Sequence, residues 1–187
     1  MGSRESKLQR ATEGGGHAHG NGTNSGSNFV RQTYLATHPD EARYRDSAAT
    51  AVVEDGLRIR VTSPDGSFVV TDMVASVGGS GSAPSPGWLF RAAYASCVAT
   101  LIAMRAAEQG IELTGLEVDV DSESDDRGIL GITQEVPAGP ASIRVTVRVE
   151  GGVMGAARDI VEWGLRHCPV DDAVRRAIPV ELQIRAA

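Results

Sequence analysis

Cysteine, lysine and aromatic residues are scarce in this chain. Two of its 187 residues are cysteine. Two in this length do not make a disulfide scaffold, so a reducing, cytoplasmic setting is expected. Lys7 is the only lysine and every other basic residue is arginine, a bias that weakens any argument from the identity of one arginine. Aromatics are 4% of the chain. No uninterrupted apolar run approaches the roughly 20 residues of a membrane-spanning helix, and the N-terminus lacks the apolar core of a secretory signal. The net charge of −6 argues against nucleic acid or an anionic membrane as partner. A P-loop Lys-Ser/Thr, a dinucleotide glycine fingerprint and Ca²⁺-loop spacing are all missing. The length suffices for one domain with a proper core.

What is present centres on residues 85–110, SPGWLFRAAYASCVATLIAMRAAEQG. Ser85 is placed to cap a helix, Pro86 is a first helical residue and Gly110 is a stop. Counting from Cys97 by threes and fours, one face carries Phe90, Ala93, Tyr94, Leu101 and Met104. Only Arg91, Arg105 and Glu108 are charged, so the helix should be buried on most sides. A thiol in mid-helix is most often inert packing. The second cysteine alters that reading. Cys168 ends another amphipathic run, with Ala157, Val161, Gly164 and Leu165 on its stripe. Gly164 would let a second helix approach closely, and Pro169 should end or kink the helix at the thiol. His167 adjoins it. The two cysteines are a candidate redox pair.

Residues 1–28 are rich in Gly, Ser and Asn without apolar periodicity and read as a disordered tail; residues 29–187 read as the domain. His17 and His19 in the tail have no further ligands nearby to complete a metal site. Phe29, Val30, Tyr34 and Leu35 suit an edge strand or a short helix, and His38-Pro39 marks a turn. Strands are predicted at Thr50–Glu54, from Leu57 through Val61, and at Phe68–Asp72, joined by turns at Asp55-Gly56 and Pro64-Asp65-Gly66. The loop GGSGSAPS at 78–85 reads as flexible, with a passing likeness to a phosphate cradle. Further strands are predicted around Leu116–Val120, Ile143–Val149 and, closing the chain, Val180, Leu182 and Ile184. Strands in runs, hairpins and intervening helices point to an α+β fold.

The residues resemble the OsmC/Ohr family of osmotically inducible and organic hydroperoxide resistance proteins. The likeness begins at Asp65-Gly66, continues through VGGSG at 77–81, then Pro86, Leu89-Phe90, Ala92, Tyr94 and Cys97. It resumes at Cys168-Pro169-Val170, with Ala173, Val174, Arg175, Ile178, Val180 and Leu182 in register. The resemblance implies an OsmC-like fold: antiparallel sheets on two long cysteine helices, in an intertwined homodimer with its active sites at the interface. It also implies a thiol-dependent peroxidase. Cys97 would attack a hydroperoxide and become a sulfenic acid, Cys168 would resolve it as a disulfide, and an external dithiol, often a lipoyl group, would reset the pair. Phe90, Tyr94, Leu101 and Met104, with Trp88, would line a groove for an alkyl tail.

One departure bears on activity. The family usually places a Glu after the helix-opening Pro, where it holds an Arg against the thiolate; this chain has Gly87. Counting back from Asp65-Gly66, Arg58 is the nearest candidate for that Arg, with Arg60 as alternative, and the two are read as facing opposite sides of their strand. The missing Glu leaves a second reading open: a catalytically weak or inactive relative that binds an apolar ligand or partner in the same groove. Ohr-like LF-x-A-x-Y and OsmC-like CPV occur in one chain, so the branch is not assigned.

Overall fold

The computed structural model describes residues 22–152 and 154–185, so His17 and His19 lie outside the described residues. The first of these form helix α1 (Gly22–Thr37), which places Tyr34 and Leu35 on a helix rather than an edge strand. It begins inside the segment read as tail. A 3-10 turn at Pro39–Glu41 follows.

Turn chemistry then builds a meander. Strands β1 (Thr50–Asp55), β2 (Arg58–Thr62) and β3 (Phe68–Thr71) pair antiparallel in that order. Gly56 and Gly66 hold the turns at φ +53° and +90°, a region closed to most side chains. Val53 pairs with Ile59 and Asp55 with Arg58, so Glu54 is an extra residue, a bulge that re-aims its carboxylate.

Helix α2 (Pro86–Glu108) has the predicted ends. Ser85 Oγ accepts the Trp88 N–H at 3.2 Å. At the other end Gly110 has φ +66°, and Ile111 N–H reaches Ala106 O at 2.9 Å while Gly110 N–H reaches Ala107 O at 3.2 Å. These two bonds are the Schellman pattern, which satisfies carbonyls the helix leaves open. By length and composition α2 could cross a bilayer. Arg91 and Arg105 interrupt it, and it packs on α1, on the strand Gly115–Glu123 and on the helices Met154–Arg166 and Pro169–Arg175.

After α2 come β4 (Gly115–Glu123), a helical turn α3 (Asp126–Ile129) and β5 (Ser142–Glu150). β4 and β5 pair with Val118 opposite Val147 and Val120 opposite Val145, and these side chains pack against the core. The other face is charged: Arg148 meets Glu117 at 3.1 Å and Asp119 at 2.5 Å. Helices α4 (Met154–Arg166) and α5 (Pro169–Arg175) follow.

The core is narrow and belongs to α2. Tyr94, Val98, Ile102 and Ala106, four apart, are sealed with Ile160 and Cys168. Burying Val98, Ile102 or Ile160 is worth roughly 1.5–3 kcal/mol each. The most buried stripe is thus turned by one residue from the predicted Cys97 face, with Tyr94 common to both. The close helix approach at Gly164 is present: a Cβ there would lie 2.6 Å from Ile102 Cγ1 and 3.0 Å from Ile102 N.

The closing strand is a correction. Residues from Ala177 to Arg185 form no strand, and Val180, Leu182 and Ile184 are 90%, 80% and 85% exposed. Alternating apolar residues signal a strand only where an edge is offered to pair with, and neither sheet of this chain takes up the segment. Among the described residues the β1–β3 sheet likewise packs extensively on no other element, and Val52, Val53, Phe68 and Val69 stay exposed.

Candidate active site

Pro169 cannot continue α4, so the chain breaks at Cys168 and restarts as α5, with Cys168 at the N-cap. This break delivers the second thiol to the side of α2. Cys97 is half-buried and Cys168 fully buried, and both are free thiols. Burial pushes the Cys168 thiol up; the Asp171 and Val170 amides pull it down, and the neighbouring Cys97 thiol pushes it up again. The predicted pair is therefore brought together, one residue half-buried and one sealed.

An open cleft of about 540 Å³ is lined by Phe90, Pro140, Ile143 and, from α5, Pro169, Val170, Ala173 and Val174; neither cysteine is among its lining residues. Phe90 is placed in it. Leu101 and Met104 are half-buried farther along α2 and are not among its lining residues. Trp88 is half exposed near the start of α2. Tyr94 is buried and donates a hydrogen bond to the Asp171 carboxylate, whose other oxygen accepts from Arg175 Nε at 2.7 Å. Burial and that carboxylate push the Tyr94 phenol up.

Arg58 is engaged elsewhere. Its Nε meets Glu54 at 3.2 Å and its Nη1 donates to Ser82 Oγ at 2.7 Å. Arg60 Nε meets the same Glu54 at 2.5 Å, and its guanidinium lies over the Phe68 ring at 4.3 Å. The reading that Arg58 and Arg60 face opposite sides is thus corrected, since residues two apart on a strand share a face. Arg91 Nη1 reaches Ser122 Oγ at 3.3 Å. Among the described residues, no arginine ion pair or hydrogen bond reaches Cys97.

Asp72 escaped the sequence reading. It is 2% exposed, and its carboxylate accepts from Met73 N, from Ser80 N and Oγ, and from Ser82 N and Oγ. The Ser80 hydroxyl leads these bonds in holding Asp72 far below the usual carboxylate range. The loop read as flexible is folded around this carboxylate, so the donors that suggested a phosphate cradle serve the chain's own acid. Gly79 permits the turn: a Cβ there would sit 1.9 Å from Met73 O. Ser82 then links Asp72 to Arg58, which anchors Arg58 without the Glu that Gly87 replaces. Among the described residues no group of three His, Cys, Asp or Glu is placed to hold a metal.

Comparison with known proteins agrees with this architecture. Among solved structures, an organic hydroperoxide resistance protein OsmC from Legionella pneumophila superposes with TM-score 0.56 at 24% identity, covering 71% of this chain and 91% of that one. One from Elizabethkingia anophelis, with thiocyanate bound, gives 0.57 at 18% identity, covering 71% and 90%. An OsmC-like protein from Mycoplasma pneumoniae gives 0.60 at 12% identity, covering 71% and 89%. These likenesses speak to the fold. Among curated proteins no sequence matches the chain significantly. The family model for OsmC-like proteins matches residues 79–183, a span that holds both cysteines, the cleft and every core residue of α2, and the chain belongs to that OsmC-like family.

Proposed function

We propose that this protein is a thiol-dependent peroxidase for organic hydroperoxides. The observation that carries the reading is the pairing of a half-buried Cys97 with a sealed Cys168, whose next two residues, Pro169 and Val170, line an apolar cleft. Cys97, as thiolate, attacks the distal peroxide oxygen; the O–O bond breaks and the alkoxide takes a proton to leave as alcohol. Cys97 is then a sulfenic acid. The Cys168 thiol attacks that sulfur, its proton leaves with the hydroxide as water, and the disulfide forms. An external dithiol of the lipoyl class returns both thiols. No resident cofactor enters these steps. The setting is cytoplasmic and reducing, and the partners are the hydroperoxide, the dithiol and a second copy of the chain, with nucleic acid and membrane uninvolved.

An unperturbed thiol with pKa near 8.5 is only a few per cent thiolate at neutral pH. A cation at Cys97 is therefore required, and among the described residues of one chain no arginine hydrogen-bonds to it. The assignment is Arg58 of the β1–β3 sheet, presented across a homodimer interface. Two features support this: the sheet packs extensively on none of the described helices of its own chain, and Glu54 and Ser82 already hold the guanidinium. That no arginine among the described residues bonds to Cys97 is also the observation favouring the second reading, a non-catalytic relative binding an apolar ligand in the cleft.

Two variants separate them. Cys97→Ser should abolish hydroperoxide consumption, while Cys168→Ser should accumulate a Cys97 sulfenic acid that a dimedone-type reagent labels. Labelling of Cys168 in a Cys97→Ser protein that still turns over would reverse the roles; no consumption by the wild type would select the second reading.

A further inference from the structure

The dithiol has a second rung that the proposed chemistry does not use. Tyr94 lies three residues before Cys97, on the same side of α2, and Asp171 lies three after Cys168, in the first turn of α5. The Tyr94 hydroxyl donates to the Asp171 carboxylate, with the two residues 2% and 6% exposed. Arg175, its side chain 67% exposed, reaches in from the surface to close the other carboxylate oxygen at 2.7 Å. We infer that Asp171, through Tyr94 and Arg175, is a positioning residue for the dithiol: it fixes the turn carrying Cys168 against the helix face carrying Cys97, and so sets how readily the two sulfurs join.

Burying a carboxylate is costly unless it is fully partnered, so packing alone would be served better by an apolar pair. The local pattern points the same way. Cys168-x-x-Asp171 has the spacing of a capping box, whose acidic member ordinarily turns back to the N-cap amide. Here the Cys168 N–H goes to Leu165 O at 3.3 Å, and the carboxylate turns across to α2. It therefore ties together the two helices that bear the thiols. A disulfide tolerates little misplacement, and holding reactants in register raises their effective concentration.

The inference rests on the dithiol reading above, yet its test does not need peroxidase activity. Full-length wild type, Tyr94→Phe, Asp171→Asn and Arg175→Gln are equilibrated in glutathione redox buffers, acid-quenched, and their free thiols counted by mass. Forming the disulfide passes two electrons and two protons to oxidised glutathione, which becomes two reduced molecules. The equilibrium constant for the intramolecular disulfide should fall about tenfold in Tyr94→Phe and Asp171→Asn, about 30 mV for a two-electron couple. Arg175→Gln should fall two- to threefold in the same direction, its arm being mostly in solvent. A merely structural role would weaken dithiol and disulfide forms alike and leave the constant unchanged even as melting temperature drops. An unchanged constant in folded Tyr94→Phe and Arg175→Gln overturns the inference. Should Tyr94→Phe fail to fold, the exposed Arg175→Gln decides. If wild type forms the disulfide but consumes no hydroperoxide, the peroxidase reading fails while the constants still judge the clamp. A wild type forming no intramolecular disulfide at any ratio overturns the clamp itself.

Discussion

At the scale of single residues, Asp72 is a buried carboxylate held by backbone and hydroxyl donors alone. Every donor near it favours the charged form, and its native pKa lies well below the unfolded value of about 3.9. The native state therefore binds fewer protons than the unfolded state, so this stabilisation is present above about pH 4 and is lost as pH falls through the native value. Urea midpoints measured from pH 6 down to pH 2 should drop in wild type. Asp72→Asn should be less stable at pH 6 and show a flatter profile, and two parallel profiles would show that Asp72 does not control the acid limb. Because Ser82 joins Asp72 to Arg58, the variant also loosens the guanidinium proposed to serve the thiolate. Neither link was legible in the sequence, since an isolated Asp and two serines in a glycine-rich loop look the same whether the loop is folded or free.

At the scale of elements, the helices show what a linear pattern can and cannot specify. The ends of α2 were readable because Ser85, Pro86 and Gly110 act on the backbone within a few residues of themselves. Its burial was less so: a helix apolar on most sides has no unique face, and α4, β4 and α5 together select Tyr94, Val98, Ile102 and Ala106. Helix α1 was ambiguous because Phe29, Val30, Tyr34 and Leu35 fit two periodicities. The Cys168 break was legible from Pro169; the Tyr94–Asp171 link was not, because the partners lie on different helices. Gly164 is the sharpest element-level test. Gly164→Ala puts a methyl against Ile102 side chain and backbone, neither of which can retreat freely. Overpacking of this kind costs about 1–3 kcal/mol, which exceeds the helix-propensity gain of about 1 kcal/mol. Chemical denaturation should show a net loss, and a more stable variant would mean that α2 and α4 separate easily.

At the scale of the whole molecule, one chain leaves its sheet β1–β3 and its C-terminal apolar alternation uncovered. Obligate interfaces commonly bury more than about 2,000 Å², and surfaces of this kind are what such an interface consumes. A homodimer that does not dissociate before it unfolds is the expected state. Sedimentation at micromolar concentration should give a dimer, and a folded monomer would contradict the proposed delivery of Arg58 to Cys97. The fold class was readable from the order of strands and helices, but the missing partner for Val180, Leu182 and Ile184 was not, because a strand is defined by the edge it joins. The central claim is that Cys97 and Cys168 act as one redox unit, and the most direct measurement is a thiol count after one equivalent of cumene hydroperoxide is added to the reduced wild-type protein at neutral pH. The account predicts loss of both thiols, a peptide map linking Cys97 to Cys168, a mass lower by two hydrogens and an unchanged fold; two thiols still titratable, or Cys97 carrying added oxygen with Cys168 free, would contradict it.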